Sequence, residues 1–438
     1  MEWLILGLFC GALVLGLALD LSMLWALCFG LALFWFYGRR KGFSWRDLGA
    51  MTWEGVAAVW KILSTFLLIG VMTALWRAAG TVPVIVARAA GLIRPGIFLL
   101  MSFLLNCGLS LLMGTSMGTA ATMGVICAAM GRALGVSPLL TGGAVLSGVF
   151  FGDRCSPVST SALLVATVTK TDIYDNLRAM FRSALVPFLL ACGIYGALGL
   201  TVRGGGAGMD LEAIFAGSFR LHWAALLPAL AILVLAVCRV PVRLAMTASI
   251  LAAVPVCLFL QGMPLGALLS AALRGFTPAD PAAAALVSGG GVLSMLNVSA
   301  IVCISSSYSG LFQKTGLLEG CKRGVTRLAR RVGRYPATLL TSIPAGMAAC
   351  NQTLAILLTE QLCRGEYDAK EALALDLEDT AAITSPLIPW CIAGTVPLNM
   401  VGAPPAAVLT AFYLWLIPLW RTLRTVSGRR GGSGYFRA

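Results

Sequence analysis

The 438-residue chain is 59% hydrophobic, only 11% charged, and carries a net charge of +14. A soluble chain has roughly twice that charged fraction, so a soluble globular protein is excluded. The positive charge does not point to nucleic acid, because the basic residues fall in short loops between apolar runs, as the positive-inside rule expects.

In chain order, the hydropathy pattern predicts spans at 3–19 and 21–37. No basic residue precedes the first and a second follows at once, so it reads as a retained helix and not a cleaved signal. A basic loop (Arg39, Arg40, Lys41, Arg46) leads to a span at 56–76 that contains Lys61, then to a short arginine-bearing helix at 77–94. Residues 96–134 are apolar but interrupted by Gly114-Thr-Ser-Met-Gly-Thr119. That is long for one span, which needs about 20 residues. A re-entrant hairpin with two short arms and a polar tip fits better than two crossings. Residues 138–170 read as one crossing broken at 152–157, followed by an amphipathic connector, Thr171 to Ser183, and a span at 184–202.

A Gly-rich segment, 203–222, links the halves, and spans at 223–238 and 244–260 follow. The earlier order then recurs: a span at 286–310, a basic connector at 314–334, a hairpin at 337–363 with the tip Cys350-Asn-Gln-Thr353, a broken crossing at 377–400 and a span at 405–420. With the N-terminus inside and both hairpins re-entrant, the inner segments hold 23 of the 32 Lys and Arg residues, the outer segments 7, and Lys61 and Arg154 lie in the membrane. This bias supports the orientation and sets the two halves in opposite senses.

The expected fold is therefore an all-α polytopic membrane protein with about 10 transmembrane helices. Two re-entrant hairpins and two inverted repeats with broken helices complete it. Its parts are scaffold helices at 1–55, a first repeat at 56–202, linker and scaffold helices at 203–285, a second repeat at 286–420 and a basic cytoplasmic tail at 421–438.

Phe151-Gly-Asp-Arg-Cys-Ser-Pro157 puts an aspartate, an arginine and a helix break into an otherwise apolar run. The hydrocarbon core penalises charge and unpaired backbone, so such a run marks an ion or substrate path. Asp153 is the leading site residue: a carboxyl at this depth pairs, holds a cation or takes a proton. The competing reading is a salt bridge to Arg154, although adjacent residues seldom face each other well. Around Ser156-Pro157, freed carbonyls offer hard-cation ligands, and Ser159 and Thr160 follow. Glu378 and Asp379 are the matching pair of the second half, read as lying at the start of its broken helix, with a solvated N-terminal cap as the alternative. Thr384 and Ser385 precede Pro386 there. The hairpin tips add Thr115, Ser116, Thr119, Asn351, Gln352 and Thr353, and Arg154 and Lys61 are the charge-coupling residues.

Gly114-Thr-Ser-Met-Gly118 also matches the Gly-x-Ser-x-Gly nucleophile elbow. It lies between apolar helices, and the single histidine, His222, is at an outer span edge. An intramembrane serine hydrolase is thus a remote alternative. Thirteen cysteines, without Cys-x-x-Cys, read as small packing residues and not as a metal site.

Gly152-Asp-Arg-Cys-Ser-Pro157 with Val158-Ser159, the 114–119 tip, Asn351-Gln352, Leu377-Glu-Asp379 and Thr384-Ser-Pro-Leu-Ile-Pro-Trp390 together resemble the NhaC-type sodium/proton antiporters of the ion transporter superfamily. The resemblance covers roughly 50–420 and implies inverted repeats, paired hairpins and an elevator motion. Four positions depart from the family pattern: Thr160 replaces an Asp, Leu163 an Asn, Met117 a Trp and Cys391 an Asn. The family includes exchangers of small organic acids.

The expected function is Na+/H+ antiport, with Na+ and H+ competing at Asp153 and nearby backbone carbonyls. Sodium- or proton-coupled transport of a small organic solute is the alternative. Na+ and H+ are expected as cargo, with no cofactor. The expected setting is a multi-pass cell membrane protein, both termini cytoplasmic, with lipid as neighbour, no nucleic-acid partner, and a homodimer as a compatible assembly.

Overall fold

The computed structural model describes residues 2–18, 23–90, 95–201, 211–238, 240–315 and 319–430. These residues are helical almost throughout, and their one β-bridge, Phe276 to Gly289, is isolated. The fold is that of an all-α polytopic membrane protein. Among the described residues, four helical stretches are long and apolar enough to cross a bilayer: Pro95–Met113, Ile173–Thr201, Arg243–Leu260 and Val292–Phe312. Two bent helix pairs meet the same length and composition test together, as a broken span or a re-entrant loop: Leu63–Ala78 with Thr81–Arg88 at 59° and Lys370–Leu387 with Ile392–Val401 at 51°.

The first half runs α1 (Glu2–Ala18), α2 (Met23–Arg40), α3 (Trp45–Ala58), α4 (Trp60–Ala78) and α5 (Thr81–Ala90). A hairpin follows, formed by α6 (Pro95–Met113), α7 (Ser116–Thr119), a π-turn and α8 (Val125–Ala133). Then come α9 (Pro138–Cys155), α10 (Thr160–Thr169) and α11 (Ile173–Thr201). The middle holds α12 (Leu211–Ala216), α13 (Leu227–Val237), α14 (Val242–Pro255), α15 (Leu265–Arg274) and α16 (Pro281–Val287). The second half runs α17 (Leu296–Thr315), α18 (Glu319–Val332), the hairpin α19 (Arg334–Ala349) and α20 (Gln352–Cys363), then α21 (Lys370–Asp379), α22 (Ala381–Thr384), α23 (Ile392–Val401) and α24 (Phe412–Arg430).

The two hairpin tips share one backbone solution. Each turns through a left-handed residue, Gly114 at φ 64° and Cys350 at φ 56°. Each then enters an extended N-cap whose side chain accepts from the new helix: Thr115 from the Gly118 amide, Asn351 from the Leu354 amide. An N-cap oxygen satisfies an amide that the first turn leaves without a partner. Gly114 is needed twice over, because a Cβ there would also strike Val158 and the Ser159 backbone in the first break.

Several sequence-based boundaries move. The arm that leads into the first tip, α6, has 19 residues and is of span length, not a short half-helix. The connector at 171–183 and the span at 184–202 are one continuous helix, α11. The first break lies at 156–159, so Asp153 and Arg154 sit in the last turn of α9 and not within the break. The second broken helix starts at Lys370, and Thr380 interrupts it first, with φ −123° and ψ −87°. The helix α24 continues to Arg430, so Arg421 belongs to a helix and not to a tail. Residues 431–438, and 203–210 of the 203–222 segment, lie outside the described residues.

Candidate functional site

Asp153 is buried, 4% exposed, at the end of α9. Its Oδ2 accepts from the Ser161 hydroxyl at 3.1 Å and from the Gln352 amide at 3.4 Å. Ser161 also donates to the Asp153 carbonyl at 3.1 Å, and so caps the end of the helix that carries the carboxyl. Gln352 donates in addition to the Ala382 carbonyl at 3.0 Å. Tip residue Ser116 brings its backbone amide to the Asp153 carboxyl. Both hairpin tips and both breaks therefore converge on Asp153.

Arg154 does not pair with its neighbour. Its guanidinium, 1% exposed, forms an ion pair with Asp379 of the second half and donates to Ser183 at 2.7 Å. Arg421 Nε lies 2.8 Å from Asp379 Oδ2, an ion pair without hydrogen-bond alignment, and Arg421 also pairs with Asp376. Tyr367 donates to Asp376 at 2.8 Å, and Tyr335 donates to the Asp379 carbonyl at 3.1 Å. A ladder of two arginines and two aspartates, buried except for half-buried Arg421, thus ties α9, α21 and α24 together, with Ser183 of α11 on its side.

Glu378 is the exception. It is 1% exposed, and neither of its oxygens has a hydrogen-bond partner. Asp153, Arg154 and Asp379 all act on it electrostatically. Glu378 and Asp379 lie at the C-terminal end of α21, deep inside the protein. That corrects their expected place at a helix start and removes the solvated-cap reading: Thr380, and not Ser385-Pro386, ends the first helical segment.

The remaining predicted residues divide. Ser116, Thr119, Ser156, Ser159, Thr384 and Ser385 are buried, and Thr115, Asn351 and Gln352 are half-buried. Several spend their hydroxyls on local backbone: Thr119 on the Thr115 carbonyl, Ser156 on the Leu111 carbonyl and Ser385 on the Ala381 carbonyl. Thr353 and Thr160 are exposed and stand apart from the cluster. Lys61 lies in α4, but its side chain is outside the described part of the structure. Ser116 follows a helix-to-helix turn and not a strand, and His222 caps the turn before α13 through Nδ1, so the elbow geometry is missing. Sequence reading passed over Ser161, Ser183, Tyr335, Tyr367 and Arg421. The Ser159-Thr-Ser161 run was the available signal for Ser161; the others gain meaning only from tertiary contacts. Among the described residues, no group of three His, Cys, Asp or Glu side chains could hold a resident metal ion.

The Na+/H+ antiporter family profile matches residues 2–169 and 148–420. The chain belongs to the Na+/H+ antiporter family. It is 29% identical to the Na+/H+ antiporter NhaC of Bacillus subtilis (strain 168) over 393 residues, covering 86% of each chain. It is 26% identical to the malate-2H+/Na+-lactate antiporter of the same organism, covering 94% of this chain and 90% of that one. It is also 27% identical to the arginine/ornithine antiporter ArcD of Halobacterium salinarum, over 93% of this chain and 86% of the relative. As the motif resemblance implied, the chain is an NhaC-type member of the family, a multi-pass membrane protein and a transporter in kind rather than an enzyme.

Proposed function

We propose that this protein exchanges Na+ for H+ across the cell membrane, with Asp153 and Glu378 as the carboxyls for which the two ions compete. The observation that carries this reading is Glu378: a buried carboxyl without a hydrogen-bond partner, next to a second carboxyl and facing an arginine already claimed by Asp379. Four buried carboxyls (Asp153, Asp376, Glu378, Asp379) share this region with two guanidiniums, Arg154 and Arg421. Buried charge without compensation costs several kcal/mol. The site is therefore complete only with added positive charge, supplied by a proton or a cation. A carboxyl that binds Na+ when ionised and H+ when neutral cannot hold both, so competition couples the two ions, given alternating access.

The same charge count argues against a free organic anion as the main cargo, because both arginines are engaged by aspartates. Na+ would be held by the carboxyl oxygens of Asp153 and Glu378 with carbonyls freed at the breaks. Half-hairpins meeting two broken helices support alternating access by an elevator-type movement, with inverted halves and cytoplasmic termini.

Reconstitution with an internal pH dye tests the proposal. Added external Na+ or Li+ should drive proton efflux, whereas malate, lactate, arginine or ornithine should not. Proton flux driven by an organic solute and indifferent to Na+ would overturn it.

A further inference from the structure

Two arginines outside this site have no acidic partner among the described residues. Arg77, in the last turn of α4, is 6% exposed; its Nη1 donates to the Thr73 carbonyl at 2.7 Å and its Nε has no partner. Arg132, in the last turn of α8, donates through Nε to the Leu286 carbonyl at 3.2 Å and through Nη1 to the Val401 carbonyl at 3.4 Å. The two guanidiniums are close enough to act on one another. Helix C-termini offer each a partial negative charge, but carbonyl dipoles do not neutralise a buried Arg77 and a half-buried Arg132.

A small cavity lies beside Arg132, with room for a single water-sized occupant, at the junction of α8, the start of α9 and the end of α23. Thr141 lines it. Its hydroxyl is buried, 3% exposed, and has no hydrogen-bond partner. Gly131, next to Arg132, leaves the space into which Thr141 fits, since a Cβ there would meet the Thr141 hydroxyl. A buried orphan hydroxyl calls for an occupant. The remaining lining is Ala128, Val136, Pro138, Gly142 and other apolar positions.

We propose that this cavity binds a monovalent halide, held by the Arg132 guanidinium and the Thr141 hydroxyl. Both groups can donate, and the cavity lining includes no carboxylate. A water would satisfy the hydroxyl but would leave the Arg132 guanidinium without a counter-charge; a halide does both. It would also fasten the point where Arg132 joins α8 to the ends of α16 and α23.

The test is thermal unfolding of the purified, full-length protein in detergent at matched sodium concentration, with chloride, bromide or gluconate as the anion. Wild type should melt about 2 °C or more higher in chloride and bromide than in gluconate, because a ligand bound only to the folded state raises the midpoint. Thr141→Val keeps the volume and removes the donor, and should lose that difference; Arg132→Gln should lose it too. Should Arg132→Gln fail to fold, Thr141→Val decides alone. Equal midpoints of the wild type in all three anions, or an undiminished halide effect in Thr141→Val, would overturn the proposal and leave the cavity to water.

Discussion

The first broken helix presents Asp153, hydrogen-bonded by Ser161 and Gln352, whereas the second presents Glu378, equally buried but bare. The hairpin tips that approach them are built alike, with a left-handed residue and a side-chain N-cap in each. The frame is repeated and the chemistry is not. Next to each carboxyl stands a residue committed to the ladder, Arg154 after Asp153 and Asp379 after Glu378, and these two pair with each other across the halves. Adjacent positions in one helix turn thus differ: Arg154 and Asp379 pair across the halves, whereas Asp153 and Glu378 stay outside that ion pair, as the proposed exchange requires.

The sharpest break of that comparison separates neighbours. Asp379→Asn should destabilise the protein by about 3–5 kcal/mol, the usual cost of removing one partner from a buried ion pair. Denaturation midpoints in detergent would show it. Glu378→Gln, one residue away, should leave those midpoints unchanged or raise them, while coupled exchange in proteoliposomes is lost. Asp153→Asn should behave like Glu378→Gln, folded and inactive. Asp379→Asn melting like wild type would dissolve the division of labour.

A second experiment asks whether the ladder is structural. Arg154→Met alone should cost stability on the scale of Asp379→Asn, since it leaves Asp379 short of its inner partner. Combined with Asp379→Leu, it should recover part of that loss, because an apolar pair of similar volume often replaces a buried ion pair without penalty. Strict additivity of the two single losses would mean that the pair has no coupling energy. Arg421 would then be the sole counter-ion of Asp379.

Much of this was legible before any coordinates. Asp153 announces itself because charge next to Ser-Pro in an apolar run has few structural excuses. The helical class, both tips and the existence of a break in each half, though not its position, follow from the same clash between polar residues and apolar context. The partners of Arg154 were not legible, since Asp379 is 225 positions away and its neighbour Glu378 looks identical in a string of letters. The end of α21 at Thr380 was hidden too, because no proline or glycine marks it and tertiary packing imposes the turn. Arg421 was misread for the opposite reason: a basic residue near the C-terminus looks like a cytoplasmic tail until it folds back onto Asp376.

A smaller effect belongs to Ser161. Its hydroxyl serves both the Asp153 carboxyl and the Asp153 carbonyl. Ser161→Ala should change apparent Na+ affinity by about fivefold, the worth of one net hydrogen bond of roughly 1 kcal/mol. The Na+ dependence of exchange, measured at several pH values, should shift without a loss of maximal rate. An unaltered curve would place Ser161 with the helix cap alone.

The smallest effect concerns the departures from the family pattern at Thr160 and Leu163. The side chain of Thr160 is exposed at the start of α10, and Leu163 is 43% exposed one turn later, on the face away from buried Ser161 and Ala162. A carboxylate placed at 160 would stand on the outer face of α10, opposite buried Ser161, which is the residue of this turn that reaches Asp153, and so would add little attraction for an ion there. Thr160→Asp with Leu163→Asn should therefore leave Na+ affinity within about twofold of wild type, within the scatter expected for surface changes of under roughly 0.5 kcal/mol. Titration calorimetry with Na+ on both proteins measures it. A gain of tenfold or more would mean that α10 turns this face toward the ion in another state of the cycle. The site would then extend past Ser161 to both altered positions.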